Sequence, residues 1–413
     1  MKIYIRNIKA VVDAVIDTSA PITVIIGEQA SGKSTIAKIV YIATVFHLQL
    51  SYYLYSFFKG DRRKEPSLDD FLVEYAYYVA TRLPDVTAGE FAVFYHGANA
   101  YQLRYVFSKN AVKVQPSDEL RSEIEKYLAT NKPSRLISDD PFFDAAGIFI
   151  KQISLEENAL HSLYVPAGRG PLIPLSNQLQ GTRFHFSDEF ASSYIRWTVR
   201  QKRLFAKEAK QLSKWAASKN NGKRRVVELV RSILKGSYTQ DINGEEFLNL
   251  TEKDVSVELQ NASSGQQEII YPLFAILEQI IFPSASPSLI IFEEPEAHLH
   301  PESQKAVMDL LAYAVNNSKA RFFITTHSPY VLTSLAPLLL SGRYEKKGTR
   351  KPIIPFDFRL SPGSVAAYSL TANPFSIKSI IGEEGTIDPT DIDRVSELIE
   401  NQIYKLFAKG AKE

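Results

Sequence analysis

Apolar and polar residues alternate from Lys2 to Val12, a period of two that predicts a half-buried strand. Pro21 to Ile26 is a short, dense β-branched run and predicts a second strand; the pattern turns helical from about Lys33. Ile39 to Phe58 carries no formal charge and is as long as a bilayer crossing requires. His47, Gln49, Ser51 and Ser56 interrupt it, and it runs on from a glycine-rich loop that must sit in water. It therefore predicts a buried helix, apolar on most sides. Further along, Ser288 to Phe292 is apolar after its first residue, as expected of a strand buried on both faces of a parallel sheet. Pro301 opens a helix whose core face is Val307, Leu310, Leu311, Ala314 and Val315, and Arg321 to Thr326 is the next strand.

Between these ends lies a long middle of mixed character. It holds a charge- and Pro-rich loop (Lys59 to Pro66), helices around Ser117 to Ala129, an extended segment from Leu163 to Pro174, and a basic helical stretch from Ser192 to about Leu234. The expected fold class is α/β. One α/β head forms from residues 1–58, with a β-rich start, and from 251–342; a mostly helical lobe, 59–250, is inserted between them, and 343–413 is a C-terminal extension packed on the head.

Composition narrows the picture mainly by exclusion. Hydrophobic content of 45% and charged content of 23% over 413 residues are ordinary for a globular chain. Forty-eight Lys and Arg against 46 Asp and Glu leave a net charge of +2, which names no partner. Cysteine is absent, so disulfides, thiolate metal sites and cysteine nucleophiles are excluded; a reducing, cytoplasmic setting is expected. The charged start reads as a strand and lacks the unbroken apolar stretch of a signal peptide.

The chemistry begins at Gly27-Glu28-Gln29-Ala30-Ser31-Gly32-Lys33-Ser34, which meets G-x-x-x-x-G-K-[ST] at every fixed position, between a strand and a helix. Its glycines let backbone N–H groups curl around phosphate oxygens, and the helix N-terminus adds partial positive charge. The candidate ATP-binding residues are Gly27, Glu28, Ala30, Ser31, Gly32, Lys33, Ser34 and Thr35. Lys33 is expected to reach the β- and γ-phosphates and Ser34 to ligate Mg²⁺. Glu293 and Glu294 end the apolar strand; two adjacent carboxylates there call for a shared cation, with Glu293 on the magnesium side and Glu294 orienting the attacking water. His327, at the end of the next strand, is placed to hydrogen-bond a γ-phosphate. A separate zinc site at Glu296, His298 and His300 is not expected, for want of a close third ligand.

The order GEQASGKS, NASSGQQE, LIIFEEPEAHLHP, ITTHSP resembles the ATP-binding-cassette (ABC) superfamily, and most of all its SMC/RecF/OLD branch of ATPases, over roughly Met1 to Val45 and Asn261 to Leu340. Within that branch it is similar to OLD-like ATPases without a Toprim domain, such as the ATPase subunits of the PARIS and Septu anti-phage systems. The resemblance implies a P-loop ABC-type head in which Ser263, Ser264, Gly265 and Gln266 form the signature motif, acting in trans on ATP held by a second subunit. Hydroxyl and backbone donors at the start of the helix expected over Glu268 to Phe282 suit that role, and Pro272 implies a later start or a kink. Ala297 to Pro301 falls at the family's dimer-contacting loop, and His327 matches its switch histidine, so Glu294 and His327 are the candidate catalytic residues.

The chain departs from the family pattern at Glu293, where Asp is usual, and in SSGQQ for the signature. The lid glutamine is left between Gln102 and Gln152, while Arg169, in a segment like one of OLD-like ATPases, is a candidate for the nucleotide or lobe interface. About seventy residues follow Leu340, fewer than an ordinary catalytic domain needs. Thr390 and Asp393 read as a cap opening a helix from Val395 to Phe407, so no built-in nuclease is expected, and Asp391 is not read as part of one.

From Arg196 to Arg231 twelve Lys and Arg face only Glu208 and Glu228. Arg196, Arg200, Arg203, Lys207, Lys210 and Lys214 recur at spacings of four and three and form one stripe, suited either to non-specific nucleic-acid phosphates or to a solvated helix face packed through Trp197, Leu204 and Leu212. The resulting expectation is an ATP- and Mg²⁺-dependent switch that homodimerises through an ATP sandwich, with higher oligomers built on that dimer. It would act without a membrane partner and work with a separate nuclease effector as the ATPase or sensor of an anti-phage system. The alternative is a RecF/SMC-like DNA-binding ATPase of repair or chromosome maintenance.

Overall fold

The structure, a computed structural model, describes residues 1–58, 66–95, 101–109, 111–130, 161–172, 188–251, 255–283, 288–345, 352–372, 374–382 and 387. Gln152 and the segment from Thr390 to Phe407 lie outside them.

The apolar alternation at the start of the chain is two strands, β1 (Lys2–Ile8) and β2 (Val11–Asp17), paired antiparallel. The single strand expected over Lys2 to Val12 is interrupted because Asn7 and Lys9 take positive φ and reverse the chain. β3 (Ile22–Gly27) leads into the helix α1 (Lys33–Phe58), whose midpart from Ile39 to Phe46 is almost wholly buried. No helix of the described residues is long and apolar enough to cross a membrane.

The middle of the chain supplies α2 (Leu68–Arg82), β4 (Ala88–Tyr95), β5 (Tyr101–Ser108), β6 (Ala111–Pro116), α3 (Asp118–Thr130) and β7 (His161–Val165). The long basic stretch is two helices, α4 (Glu189–Ala216) and α5 (Asn221–Leu234), because Asn220 breaks in as the N-cap of the second. β8 (Gly236–Gln240), β9 (Glu246–Leu250) and β10 (Val255–Glu258) follow, then α6 (Ser264–Ile281), β11 (Ser288–Glu293), α7 (Pro301–Asn317), β12 (Ala320–Thr326), α8 (Pro329–Tyr344), β13 (Val365–Ala372) and β14 (Phe375–Ser379).

Three sheets organise these elements. The central one has the order β14-β13-β3-β12-β11-β7; all neighbours are parallel except the hairpin strand β14. A five-stranded antiparallel sheet, β2-β1-β4-β5-β6, joins the N-terminal hairpin to the middle segment, and β8 to β10 form a small third sheet. The central strands read as unbroken apolar runs because both their faces are covered. Val24, Ile290, Phe292, Phe322 and Ile324 enter a core shared with α5 to α8. Ile25, Ile291 and Phe323, one position along, enter a second core with α1, α2 and the five-stranded sheet. On α7 Val307, Leu310, Leu311 and Ala314 are buried as expected, with Val315 partly so.

A buried polar cluster ties α4 to the small sheet and to α6. Lys202 bonds Glu246 at 3.0 Å, and the Tyr238 and Tyr271 hydroxyls donate to the same carboxylate at 2.9 and 2.8 Å. Glu208, also on α4, is not so served. It is buried, its Oε2 has no hydrogen-bond partner among the described residues, and burial, reinforced by Glu278, raises its pKa to about 9. A carboxyl that holds its proton in the fold but loses it near 4.5 when unfolded contributes most stability below that value, and the contribution fades as pH rises towards 9. Glu208→Gln removes this dependence: its melting temperature, relative to the parent chain, should climb steadily from pH 5 to about pH 9, whereas a constant offset across that range would contradict the buried neutral carboxyl.

Candidate functional site

The parallel strands all end at one edge of the central sheet, where ligands of open α/β sheets bind. There β3 delivers the phosphate loop, β11 the paired acids, β12 the histidine and β7 the Pro166–Gly170 turn. The register sets Thr326 beside Ile26, Glu293 beside Thr325, and Phe292 beside Val165.

The loop after β3 has the geometry that an anion cradle needs. Gly32 has φ +102°, and a Cβ there would meet the Val11 side chain at 2.8 Å. At Gly27 it would meet the Leu370 carbonyl at 2.3 Å, so β13 leaves room only for glycine. Ala30 takes φ +61° to aim the loop. Ser34 is exposed at the first turn of α1, and Thr35 is half-buried next to it. Lys33 is only 5% exposed, and its Nζ donates to the carbonyls of Gly27 at 2.8 Å and Glu28 at 2.6 Å. Burial lowers its pKa to about 8, against the pull of the Glu294, Glu296 and Glu28 carboxylates. The Ser31 Oγ is buried and has no hydrogen-bond partner among the described residues.

From Lys33 a polar line crosses three strand ends. Its Nζ stands 3.4 Å from His327 Nδ1, and His327 Nε2 stands 3.3 Å from Glu294 Oε1. With the ammonium donating to Nδ1, Nε2 carries the proton and points it at Glu294. Glu294 has φ +48°, a conformation costly for a residue with a Cβ, and its N–H donates to Thr325 O at 2.9 Å. Glu293 points the other way: it is 5% exposed, Oε2 accepts from Ala167 N at 3.2 Å, and Oε1 is buried with no well-aligned hydrogen bond among the described residues, although the buried Tyr164 hydroxyl lies beside this carboxylate. A buried carboxylate oxygen without a donor is one that a cation would satisfy.

Glu296 belongs to this site in a way its sequence setting did not reveal. Its Oε1 accepts from Thr326 Oγ1 at 2.5 Å and from His327 N at 2.9 Å, so it fixes the backbone that carries the histidine. Desolvation raises its pKa, and those bonds oppose the rise. The usable signal was its place two residues past Glu294 in a tight turn, where a carboxylate can reach the neighbouring strand. His298 lies 3.5 Å from Glu268, and His300 is the N-cap of α7, so these residues face different partners.

Ser263 caps α6 with a reciprocal pair: Ser263 N donates to Gln266 Oε1 at 3.1 Å and Gln266 N to Ser263 Oγ at 3.4 Å. Gln266 also reaches Leu234 O at 2.7 Å. The helix therefore starts at Ser264, earlier than Pro272 led one to expect, because the serine-led cap supplies a strong start upstream of it. Ser264 is exposed, whereas Gly265 is buried beneath the His298 carbonyl, 2.4 Å from where its Cβ would be. The Ser263–Gln266 turn and the loop after Glu294 thus sit against each other. Gln102 lies in β5, within the antiparallel sheet, with its N–H on Ser117 Oγ. Arg169 is fully buried at the end of the β7 turn. On α4, Arg200, Lys207, Lys210 and Lys214 are exposed and Arg196 is half-buried near Glu189 at 3.7 Å; the Arg203 side chain lies outside the described residues.

Residues 22–333 match the family described as "AAA domain, putative AbiEii toxin, Type IV TA system". Among curated proteins, Protein ea59 of Escherichia phage lambda is 24% identical over 149 residues; the match takes in 35% of this chain and 27% of that protein, so this chain spans about a quarter of the length of the relative it matches. Among solved structures, an SmcHead bound to the C-winged helix domain of ScpA matches with a TM-score of 0.43 and 13% identity, over 92% of this chain and 96% of that one. The SMC head domain from Thermotoga maritima matches with a TM-score of 0.38 and 11% identity, over 92% and 98%.

If Glu296 holds the histidine strand end in place, Glu296→Ala should lower the unfolding free energy by about 2 kcal/mol in a denaturant titration, the cost of two bonds to a charged acceptor. Glu296→Gln keeps an acceptor and should lose less than half of that; equal losses would show that the two bonds contribute nothing.

Proposed function

The chain belongs to the AbiEii-type AAA domain family (AAA_21), a P-loop ATPase family with an ABC-type head, and from that premise we propose that it binds and hydrolyses ATP at the edge just described. The observation that carries this reading is the line Lys33–His327–Glu294. It joins a phosphate-reaching ammonium to a carboxylate able to orient water, through an imidazole able to register the γ-phosphate between them. The loop's N–H groups and Lys33 would hold the phosphates. Ser34, exposed beside them, and the buried Oε1 of Glu293 would hold Mg²⁺, which would supply charge neutralisation to the phosphates when bound.

The second half of the site is proposed to come from another copy. Ser264 of the partner subunit would present its hydroxyl and helix N-terminus to the γ-phosphate, and exposure of Ser264 next to the 297–301 loop supports that role. ATP then favours the closed homodimer because the γ-phosphate gains donors available only there; hydrolysis removes them and reopens it. A cytoplasmic role as the ATPase or sensor of an anti-phage system, with a separate effector, takes its support from the toxin–antitoxin description of the family. The exposed Arg200, Lys207, Lys210 and Lys214 support a second reading, in which α4 contacts nucleic-acid phosphates.

Lys33→Ala should raise the dissociation constant for ATP at least about a hundredfold, the loss of a charge-assisted contact to phosphate; unchanged affinity in a fluorescence titration would refute the assignment of the loop. Glu294→Gln should bind ATP and accumulate as a dimer in sedimentation at micromolar protein, and a variant that stays monomeric with ATP would sink the shared site. For α4, duplex DNA binding should weaken steeply with added salt and lose that slope when Lys207, Lys210 and Lys214 become Gln.

A further inference from the structure

Arg169 is the largest fully buried side chain among the described residues, at 2% exposure, yet it touches none of the atoms proposed to meet nucleotide. Its guanidinium is spent on backbone carbonyls from three separate segments. Nε donates to Glu268 O at 2.8 Å, in α6; Nη1 donates to Glu293 O at 2.8 Å and to Pro166 O at 2.9 Å; Nη2 donates to Glu294 O at 3.1 Å. A planar fork with fixed donor directions is rigid in a way that a lysine could not reproduce.

The first of these bonds exists because of a proline. In a continuous helix the Glu268 carbonyl would accept from the N–H four residues on, but that residue is Pro272, which has none. A buried carbonyl left open would be costly, and Arg169 supplies its donor. The proline inside the signature helix therefore makes a socket, and the arginine at the end of β7 is the plug. On its other side the same guanidinium grips the carbonyl of Glu294, the residue held at φ +48°. The Ala297 N–H reaches that carbonyl as well, at 3.1 Å, so the strained turn is fixed from both sides. Gly265, buried against the His298 carbonyl, closes the circuit between the signature turn and the loop after the acids.

We propose that Arg169 is a positioning residue that makes the first turns of α6 and the Glu293–Leu299 turn one mechanical unit, so that docking at Ser264 is felt at the Glu294 carboxylate. This rests on the shared-site reading above for its use in turnover, but the coupling itself is a property of a single protomer. A signature helix able to slide independently of β11 could engage a second copy without moving the acid; with Arg169 in place it cannot. The two sites of a dimer would then report on each other through a backbone clamp.

The test is native-state hydrogen exchange on the full chain without nucleotide, paired with turnover. Arg169→Gln should speed exchange about tenfold in both 264–270 and 293–299, consistent with coupling energies of neighbouring groups, while the first turn of α1 stays as in the parent. It should also lower kcat with ATP affinity unchanged, and Arg169→Lys should recover little of either. Adding Pro272→Ala, which gives Glu268 O a helical donor, should restore protection in 264–270 alone. Faster exchange in only one segment, or restoration of both by Pro272→Ala, would overturn the proposal. Should Arg169→Gln fail to fold, Pro272→Ala by itself decides: the new N–H competes for the Glu268 carbonyl, so 293–299 should exchange about threefold faster in a protein whose helix has gained stability. No change in 293–299 overturns the clamp. If Glu294→Gln does not dimerise while these exchange results hold, the shared site fails and the clamp stands.

Discussion

The C-terminal edge of the central sheet brings three carboxylates, Glu293, Glu294 and Glu296, together with two cations, Lys33 and Arg169, and Glu293, Lys33 and Arg169 are buried there. Charges so placed are tolerable only when each has a partner, and here the partners are of different kinds. Arg169 is consumed by carbonyls, Glu296 by an N–H and a hydroxyl, and Lys33 by two carbonyls and an imidazole. Glu293 Oε1 and Glu296 Oε2 are left over, each buried with no well-aligned hydrogen bond among the described residues. Most of what distinguishes this site follows from balancing that row of charge.

The same requirement accounts for the local strain. Bringing Glu294 to the end of β11 with its carboxylate towards His327 places its backbone at positive φ, and the turn is kept by hydrogen bonds from Ala297 and Arg169 as well as its own to Thr325. Gly27 and Gly265 serve close approach: each lies against a backbone carbonyl of another segment, of Leu370 and His298 respectively. These contacts join the glycine-rich loop to β13 and the Ser263–Gln266 turn to the loop after the acids. A site assembled from four strand ends is held by backbone carbonyls as much as by side chains.

The fold and the site were legible in the sequence to different degrees. β11 and the middle of β12 announce themselves, since Leu289 to Phe292 and Phe322 to Ile324, buried on both faces, have to be apolar. The glycine-rich loop, the paired acids and His327 stand at the ends of β3, β11 and β12, where the apolar runs before them end. The hairpin of β1 and β2 was read as one strand, because two positive-φ residues inside an alternating run leave no mark on its periodicity. The start of α6 was blurred by Pro272, whose missing N–H argues against a helix until a donor from elsewhere is known. Arg169 and Glu296 were visible as charges, but what they bond lies in other segments of the chain.

The sequence by itself determined the local chemistry: which strands are buried, where an anion can be cradled, and which acids and histidine end the strands. Those are consequences of short-range periodicity and of residue types that nothing else can replace. The tertiary structure alone decided which charge meets which: that Lys33 meets His327 across 294 positions of chain, and that Arg169 fills the gap left by Pro272. Such pairings depend on strand order and register, which are settled by the burial of both sheet faces and leave no trace at the individual positions they join.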